Sequence, residues 1–176
     1  MAPETIVDSK QIYDGRVVKL HLETVELEDG HTFERELIRH SGAVAMLPLD
    51  EAGNVYLVRQ YRIGADKDLL ELPAGQLEPG EPREECARRE LQEEIGYYPE
   101  QLDELGGLYV AASYTTEYIT IYVARGLREA TLPGDQDERI EIVRMPFEQA
   151  YQMALRNEIE DSKTLIGLMW AAQRLG

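Results

Sequence analysis

One stretch decides the fold, a glycine-led loop that runs into an acidic helix: Gly75-Gln-Leu-Glu-Pro-Gly-Glu81-Pro-Arg-Glu-Glu-Cys-Ala-Arg-Arg89-Glu90-Leu-Gln-Glu93-Glu94-Ile-Gly96-Tyr97. Pro82 suits the first helical position, where the backbone nitrogen needs no partner. Gly96 suits the end of the helix, where a positive φ closes the last turn. The stretch therefore predicts one helix of about four turns between these two residues.

One side of this helix is apolar. Counted at 100° per residue, Ala87, Leu91 and Ile95 lie above one another, which predicts a face that packs on a core. Cys86 is expected to pack beside them, because the three histidines that could activate a nucleophile all lie far upstream in the sequence. A single cysteine cannot form an internal disulfide, so nothing here favours an oxidising compartment.

Three acidic residues, Glu90, Glu93 and Glu94, fall together on another face of the helix. Glu90 and Glu94 are one turn apart and repel each other by about 0.2–0.5 kcal/mol, a cost that a divalent cation removes. Hard cations such as magnesium and manganese take oxygen ligands of this kind. Spacing alone leaves a solvated acidic face as an equal alternative. Two further acids are predicted to pair with arginines four residues later, Glu84 with Arg88 and Glu85 with Arg89.

Composition restricts the class of protein. The 176 residues, 43% of them apolar, suit one domain with a sizeable core. A formal charge of −16 argues against a nucleic-acid partner, because a phosphate backbone needs a basic stripe. No apolar run approaches the roughly 18 residues of a membrane span, and the first residues show neither a basic nor an apolar leader. These features predict a cytoplasmic protein that does not bind membranes.

Residues 1–40 are predicted to form a small antiparallel β-sheet piece. Two alternating segments, 16–27 and 32–39, flank Asp29-Gly30, a dipeptide that favours a tight hairpin turn. A short β-rich piece needs a surface to pack on. It could pack on a second subunit or form a lid on its own domain, and the pattern fits both. We predict a homodimer with residues 1–40 as the candidate dimerisation element.

Residues 41–176 are predicted to form the main domain, with strands on both sides of the central helix. The predicted strands are 43–48, 55–61, 105–112, 117–124 and 139–145, and the closing helices are 147–156 and 162–174, with Asp161 or Ser162 as the last N-cap. Residues 63–70 are predicted to be irregular. Pro73 and Gly75 predict an irregular course that turns the Ala74 carbonyl away from a strand ladder. This order predicts an α/β sandwich with mixed strand pairing.

The central stretch resembles the signature box of the Nudix hydrolases. It fits the pattern Gly, five residues, Glu, seven residues, Arg-Glu-apolar-x-Glu-Glu-x-Gly-apolar, with Tyr97 in the last position, where the family usually has an aliphatic residue. At roughly 7% per fixed position, seven fixed residues match by chance on the order of once in 10⁸ windows. The resemblance implies the family's α/β/α sandwich, with the box as loop, helix and loop.

Three outer motifs extend the resemblance to the ADP-ribose pyrophosphatase branch of the family. They are Arg59-Gln-Tyr-Arg62, Leu70-Glu-Leu-Pro-Ala-Gly75 and Ile159-Glu-Asp-Ser-Lys-Thr. The resemblance implies a Nudix pyrophosphohydrolase that cuts ADP-ribose into AMP and ribose 5-phosphate. It also implies divalent cations, magnesium or manganese, held by Glu90, Glu94 and the Ala74 carbonyl, with Glu93 as an additional ligand. Arg89 matches the family arginine that orients these carboxylates.

The substrate contacts come from the same resemblance. Arg35 and Arg62 lie where the branch has arginines on the diphosphate, whose oxygens match guanidinium forks. Glu117 matches a glutamate near the terminal ribose or the middle of the substrate. Residues 111–116 lack the Pro-Gly turn of the branch, so another nucleoside diphosphate sugar, such as GDP-mannose or a UDP-sugar, stays open as the substrate.

The general base has two candidates. In the branch it often comes from an acidic loop after the box, matched here by Asp135-Gln-Asp-Glu138. Gln136 replaces the first acid of that loop and cannot accept a proton, which leaves Glu138 or Glu93 as catalytic base. An alternative of another class is a sensor that binds ADP-ribose without cutting it. A sensor would usually have lost one of the metal-holding glutamates, and Glu90, Glu93 and Glu94 are all present.

Overall fold

The computed structural model describes residues 4–134 and 139–175 in two compact units. The first unit comprises Met1–Gly42 and Tyr109–Tyr118, and the second comprises Ala43–Leu108 and Ile119–Gly176. The predicted acidic loop with Glu138 lies outside the described residues. Within the described part of the chain, no helix has the length and apolar character needed to cross a bilayer.

The first unit is an antiparallel sheet in the order β1-β2-β3. Its strands are β1 (Thr5–Asp14), β2 (Lys19–Glu26) and β3 (Thr32–Arg39). Gly30 takes a φ of +80° in the β2–β3 turn, a backbone conformation that favours glycine, as expected of the Asp-Gly hairpin. β1 is an edge strand, and all ten of its residues are exposed.

In its described residues the second unit contains two sheets and three helices. Its strands are β4 (Ala43–Pro48), β5 (Asn54–Arg62), β6 (Lys67–Glu71), β7 (Ala74–Gln76), β8 (Tyr97–Tyr109), β9 (Tyr118–Glu129) and β10 (Glu141–Pro146). The strand orders are β7-β4-β9-β8 and β10-β5-β6. β4 runs parallel to β9 and antiparallel to β7, so the pairing is mixed, as predicted. The helices are α1 (Arg83–Glu94), α2 (Phe147–Leu155) and α3 (Ser162–Leu175).

β4 lies at the centre of the second unit, because all six of its residues are buried. Successive side chains of a strand point to opposite faces, and those of β4 enter two different cores. Ala45 and Leu47 join the core that includes residues of α2 and α3, whereas Val44 and Met46 join the core that includes residues of α1. Helices therefore cover both faces of the sheet, which confirms the α/β/α sandwich.

The predictions for the segments that form β6 and β8 were wrong. Residues 63–70 were predicted to be irregular, yet β6 pairs with β5 through a tight turn in which Asp66, not a glycine, has a positive φ of 53°. β8 begins at Tyr97, well before the predicted start at Leu105. Pro99 interrupts the sequence signal there, but β8 is an edge strand, where a missing amide donor is tolerated.

Candidate active site

The box helix forms with the predicted orientation. Ala87 and Leu91 are completely buried and Ile95 is 3% exposed, which confirms the apolar stripe. Cys86 is also completely buried, as a packing role requires, and burial raises the pKa of its thiol. Gly96 has a φ of +78° after the last turn. Pro82 precedes the helix as its N-cap instead of filling the first helical position.

Gly75 brings the helix and β7 together. A Cβ atom added at Gly75 would lie 1.8 Å from Cδ and 1.9 Å from Oε1 of Glu90, distances that no side chain could occupy. The Glu90 carboxylate therefore lies directly against the backbone of β7. Glycine is required here because of this close approach and not because of an unusual backbone angle.

Glu94 contacts the neighbouring residue of β7. Glu94 is only 8% exposed, and its Oε2 accepts a hydrogen bond of 3.0 Å from the Ala74 amide. In an extended strand the N–H and C=O groups of one residue point to the same side. The Ala74 carbonyl therefore points to the same side of β7 as Glu94. The predicted irregular course at Ala74 was wrong, since this segment is a short strand at the edge of its sheet.

Arg89 holds three carboxylates. Its Nε and Nη2 donate to Glu81 over 2.9 and 3.0 Å, and its Nη1 donates to Glu90 over 2.7 Å and to Glu93 over 3.0 Å. The predicted pair with Glu85 was wrong, because Glu81 in the preceding loop offers both of its oxygens to the guanidinium fork. The predicted pair of Arg88 with Glu84 is confirmed at 3.5 Å.

The charges around Arg89 shift its pKa and that of its partner. The hydrogen bonds from Arg89 lower the pKa of Glu81 from 4.5 to about 2. The hydrogen bond to Glu81 and the charge of Glu90 raise the pKa of Arg89 above its ordinary value. Glu81 and Arg89 therefore carry their full charges at neutral pH.

The donor set of this site fits a hard divalent cation. Glu90 and Glu94 lie against consecutive residues of β7, and the Ala74 carbonyl offers a third oxygen on the side that Glu94 contacts. Among residues 4–134 and 139–175, no three His, Cys, Asp or Glu side chains already stand in position to hold one ion. A cation site on Glu90 and Glu94 would therefore need a further oxygen, which the Ala74 carbonyl could supply.

Arg62 belongs to a second group of charges, which sequence reasoning did not find. Its Nε and Nη2 donate to the two oxygens of Glu71 over 2.7 and 2.8 Å, and Glu71 is 1% exposed. Lys163 donates to Glu71 Oε2 over 2.5 Å and to Asp161 Oδ1 over 3.0 Å. Burial opposes ionisation of Glu71, but the bonds from Arg62 and Lys163 hold its pKa below the ordinary value. Glu71 lies in the motif Leu70-Glu-Leu-Pro-Ala-Gly75 and Lys163 in the motif Ile159-Glu-Asp-Ser-Lys-Thr. The sequence therefore contained both residues, but nothing in it indicated that they form an ion pair.

Two predicted substrate residues belong to the first unit. Arg35 lies on β3 and pairs with Glu4 over 3.0 Å, while its guanidinium lies 5.7 Å from the centre of the Phe33 ring. Glu117 lies just before β9, and its amide donates to Thr115 Oγ1 over 3.1 Å. Their contacts to a diphosphate and a ribose stay predictions, as does the role of Glu138.

Comparison with known proteins agrees with the fold. The family described as NUDIX domain matches residues 39–166. A solved structure titled "Crystal structure of ADP compounds hydrolase" superimposes with a TM-score of 0.88 and 26% sequence identity, covering 99% of this chain and 95% of that chain.

Curated relatives cover most of the chain. A methanol dehydrogenase activator of Bacillus methanolicus is 38% identical over 95% of this chain and 91% of its own. ADP-ribose pyrophosphatase of Bacillus subtilis is 33% identical over the same shares. GDP-mannose pyrophosphatase of Yersinia enterocolitica is 34% identical over 87% of each chain. The family match over residues 39–166, the α/β/α sandwich and the complete box together place this chain in the Nudix hydrolase family.

Proposed function

We propose that this protein hydrolyses the diphosphate bond of ADP-ribose to AMP and ribose 5-phosphate, using magnesium or manganese. The observation that carries the proposal is the approach of Glu90 to Gly75 and of Glu94 to Ala74, which brings two carboxylates to consecutive residues of β7. The similarity to ADP-ribose pyrophosphatases of two organisms, at 33% and 34% identity, supports the choice of substrate.

The residues around β7 and α1 are proposed to bind the cations. Glu90, Glu94 and the Ala74 carbonyl would hold the cations, with Glu93 as an additional ligand. Bound divalent cations make a water molecule more acidic and place positive charge on the phosphoryl oxygens. Arg89 would keep Glu90 and Glu93 in place, because its Nη1 already donates to both carboxylates.

Substrate binding needs positive charge on a strongly acidic protein. Arg62 is held in one orientation by its double hydrogen bond to Glu71, which leaves Nη1 of the guanidinium available to a phosphate. Arg35 and Glu117 are proposed as further contacts to the diphosphate and the ribose. Fixing Arg62 before the substrate arrives lowers the entropy cost of binding.

Glu93 or Glu138 is the proposed base. One oxygen of Glu93, Oε2, accepts the bond from Arg89, so the other oxygen could take a proton from the attacking water. Glu93→Gln and Glu138→Gln separate the candidates, since the base variant should lose about 10²–10⁴-fold in turnover. If Glu138→Gln turns over within a few-fold of the unmodified protein, that loop is excluded as the source of the base.

The substrate is tested by a phosphate-release screen coupled to phosphatase, with magnesium and with manganese. ADP-ribose, NADH, diadenosine polyphosphates, GDP-mannose and UDP-glucose are compared at equal concentration. We expect the highest kcat/KM for ADP-ribose. Equal activity on all five would contradict the ADP-ribose assignment and keep the hydrolase assignment, whereas a preference for GDP-mannose would favour the activity named in the 34% identical relatives.

A second candidate function is activation of a dehydrogenase. The observation that favours it is the 38% identity to a methanol dehydrogenase activator over 95% of the chain. The protein is added to methanol dehydrogenase, and the rate of methanol oxidation is measured. A rate increase that Glu94→Gln abolishes would tie activation to hydrolysis at the same site, and no increase would contradict this candidate.

A homodimer in the cytoplasm is the proposed state of the protein. β1 is an exposed edge strand that carries Ile6, Val7, Ile12 and Tyr13, each about half exposed. An unpaired edge with apolar side chains is a surface that a second copy can cover. Ile12→Lys should convert a dimer to a monomer in light scattering, whereas Ile63→Lys, at a residue 90% exposed in the second unit, should not. A monomeric unmodified protein would contradict the proposal.

A further inference from the structure

Thr164 joins the first turn of α3 to the residues that precede β7. Its side chain is completely buried. Its hydroxyl oxygen accepts a hydrogen bond of 2.7 Å from the Leu72 amide, and its hydroxyl hydrogen is donated to Asp161 Oδ2 over 2.5 Å. The same oxygen of Asp161 accepts the Thr164 amide over 2.9 Å, as the N-cap of α3. Thr164 is thus fixed by Asp161 and fixes Leu72 in turn.

Leu72 is held a second time through its side chain. It is completely buried, and a Cβ atom added at Gly167 would lie 2.6 Å from Leu72 Cδ1. Gly167 lies one turn after Thr164 in α3, so the helix approaches Leu72 closely at both positions. Lys163 meanwhile binds Glu71, the residue before Leu72. The first turns of α3 therefore hold both Glu71 and Leu72.

The backbone from Leu72 to Ala74 has a partner at every residue. The Leu72 amide donates to Thr164, the Pro73 carbonyl accepts from the Met46 amide over 2.9 Å, and the Ala74 amide donates to Glu94. Proline fixes one dihedral angle of the middle residue. A shift of the Leu72 peptide would therefore be transmitted over two residues to the Ala74 carbonyl.

We propose that Thr164 is a positioning residue of the cation site. It acts through Leu72 and Pro73 to aim the Ala74 carbonyl, together with Glu94, at the ion. This inference rests on the proposed function, which makes Glu90, Glu94 and Ala74 the ligands. Asp161 alone could cap α3 through the Thr164 amide, so the hydroxyl is not needed to start the helix. The hydroxyl oxygen instead accepts the hydrogen bond from the Leu72 amide.

The test compares Thr164→Val with Thr164→Ser in the full-length protein. Valine keeps the shape and loses the hydroxyl, which leaves the buried Leu72 amide without its acceptor, and serine keeps the hydroxyl. Manganese affinity is measured without substrate, from the electron paramagnetic resonance signal of free Mn²⁺. We expect about a tenfold weaker Mn²⁺ affinity in Thr164→Val and an affinity within about twofold of the unmodified protein in Thr164→Ser.

Ile159→Val is the control for a purely structural effect. Ile159 is 1% exposed, lies three residues before α3 and belongs to the same core as Leu72, so its truncation weakens that core while the hydrogen bond between Thr164 and Leu72 keeps both of its partners. It should lower the thermal midpoint and leave Mn²⁺ affinity unchanged. The proposal would be overturned if Thr164→Val bound Mn²⁺ as tightly as the unmodified protein. It would also be overturned if Ile159→Val weakened Mn²⁺ binding as much as Thr164→Val does. kcat should fall in Thr164→Val more than KM rises.

Gly167→Ala tests the same inference from the other side, should Thr164→Val fail to fold. The added Cβ presses on Leu72 and should also weaken Mn²⁺ binding by about tenfold, and normal binding would contradict the proposal. The proposed function and the positioning role of Thr164 can be contradicted separately. If the double variant Glu90→Gln with Glu94→Gln leaves Mn²⁺ binding intact, the proposed function is contradicted. If that double variant abolishes binding while Thr164→Val and Gly167→Ala bind Mn²⁺ normally, only the positioning role is contradicted.

Discussion

Two groups of partly buried charges in the second unit differ in their balance. The α1 cluster comprises Arg89, the three carboxylates that it contacts, Glu81, Glu90 and Glu93, and the neighbouring Glu94 of the same helix, whose charge also acts on Arg62. The α3 cluster sets two cations against two carboxylates: Arg62 and Lys163 with Glu71 and Asp161. A balanced buried cluster can be satisfied by the protein alone, whereas an acidic one favours added positive charge. We therefore propose that the α3 cluster supports the structure and orients Arg62, and that the α1 cluster binds cations.

The largest effect should come from removing a charge of the α1 cluster. Glu94→Gln keeps an oxygen that can accept from the Ala74 amide but removes the negative charge. We expect turnover to fall by about 10³-fold, equal to about 4 kcal/mol, with little change in the urea midpoint. Steady-state kinetics with ADP-ribose and magnesium check this. Glu85→Gln, on an exposed residue of the same helix, is the control and should leave turnover unchanged.

Removing a charge of the α3 cluster should instead reduce stability. Lys163→Met leaves Glu71, which is 1% exposed, with Arg62 as the only cation of the cluster. We expect a loss of about 3 kcal/mol in the free energy of unfolding, measured by urea denaturation of metal-free protein. Lys67→Met is the matched control, since Lys67 pairs with Glu160 where both side chains are 51% exposed. Equal losses in the two variants would remove the contrast between the clusters.

Arg89→Lys sharpens the comparison within the α1 cluster. A lysine ammonium cannot present two parallel donors to Glu81 while a third donor reaches Glu90 and Glu93. We expect Mn²⁺ affinity and turnover to fall together by about 30-fold. Arg88→Lys controls for the loss of a guanidinium from the helix and should change neither. Normal metal affinity in Arg89→Lys would argue against an orienting role for Arg89.

The smallest effect should be a dependence of stability on pH. The pKa of Glu81 is lowered from 4.5 to about 2 in the folded protein, so its contribution is complete above pH 4.5 and is lost as the pH falls towards 2. Glu81→Gln should therefore cost about 2 kcal/mol at pH 6 and clearly less at pH 3, by urea denaturation. Glu84→Gln is the control and should cost little at either pH, because the carboxylate of Glu84 is 61% exposed and an exposed ion pair contributes little. A difference that stays constant between the two pH values would contradict the assignment.

Local patterns were sufficient to predict the helices and the two faces of the box helix. The stripe of Ala87, Leu91 and Ile95 follows from helical periodicity, and the acidic face of α1 follows from the same count. The central strand β4 was found because its apolar run is short and bounded by turn residues. These features depend on residues that are close together in the sequence, so they can be predicted from the sequence alone.

Contacts between distant residues could not be predicted from patterns. Arg89 had a partner of ideal helical spacing in Glu85, yet Glu81 takes its place because the loop brings both carboxylate oxygens to the guanidinium. Gly75 was expected to shape a loop, but its necessity comes from the Glu90 carboxylate, fifteen residues later. Thr164 and Leu72 are 92 residues apart, and no periodicity connects them.

The most direct test measures cation binding without catalysis. Unmodified protein and the double variant Glu90→Gln with Glu94→Gln are titrated with Mn²⁺ in the absence of substrate, and free Mn²⁺ is followed by electron paramagnetic resonance. We predict saturable binding by the unmodified protein and an affinity at least about 100-fold weaker in the double variant, because both carboxylates beside β7 lose their charge. Equal affinities in the two proteins would contradict the assignment of this helix face as the cation site.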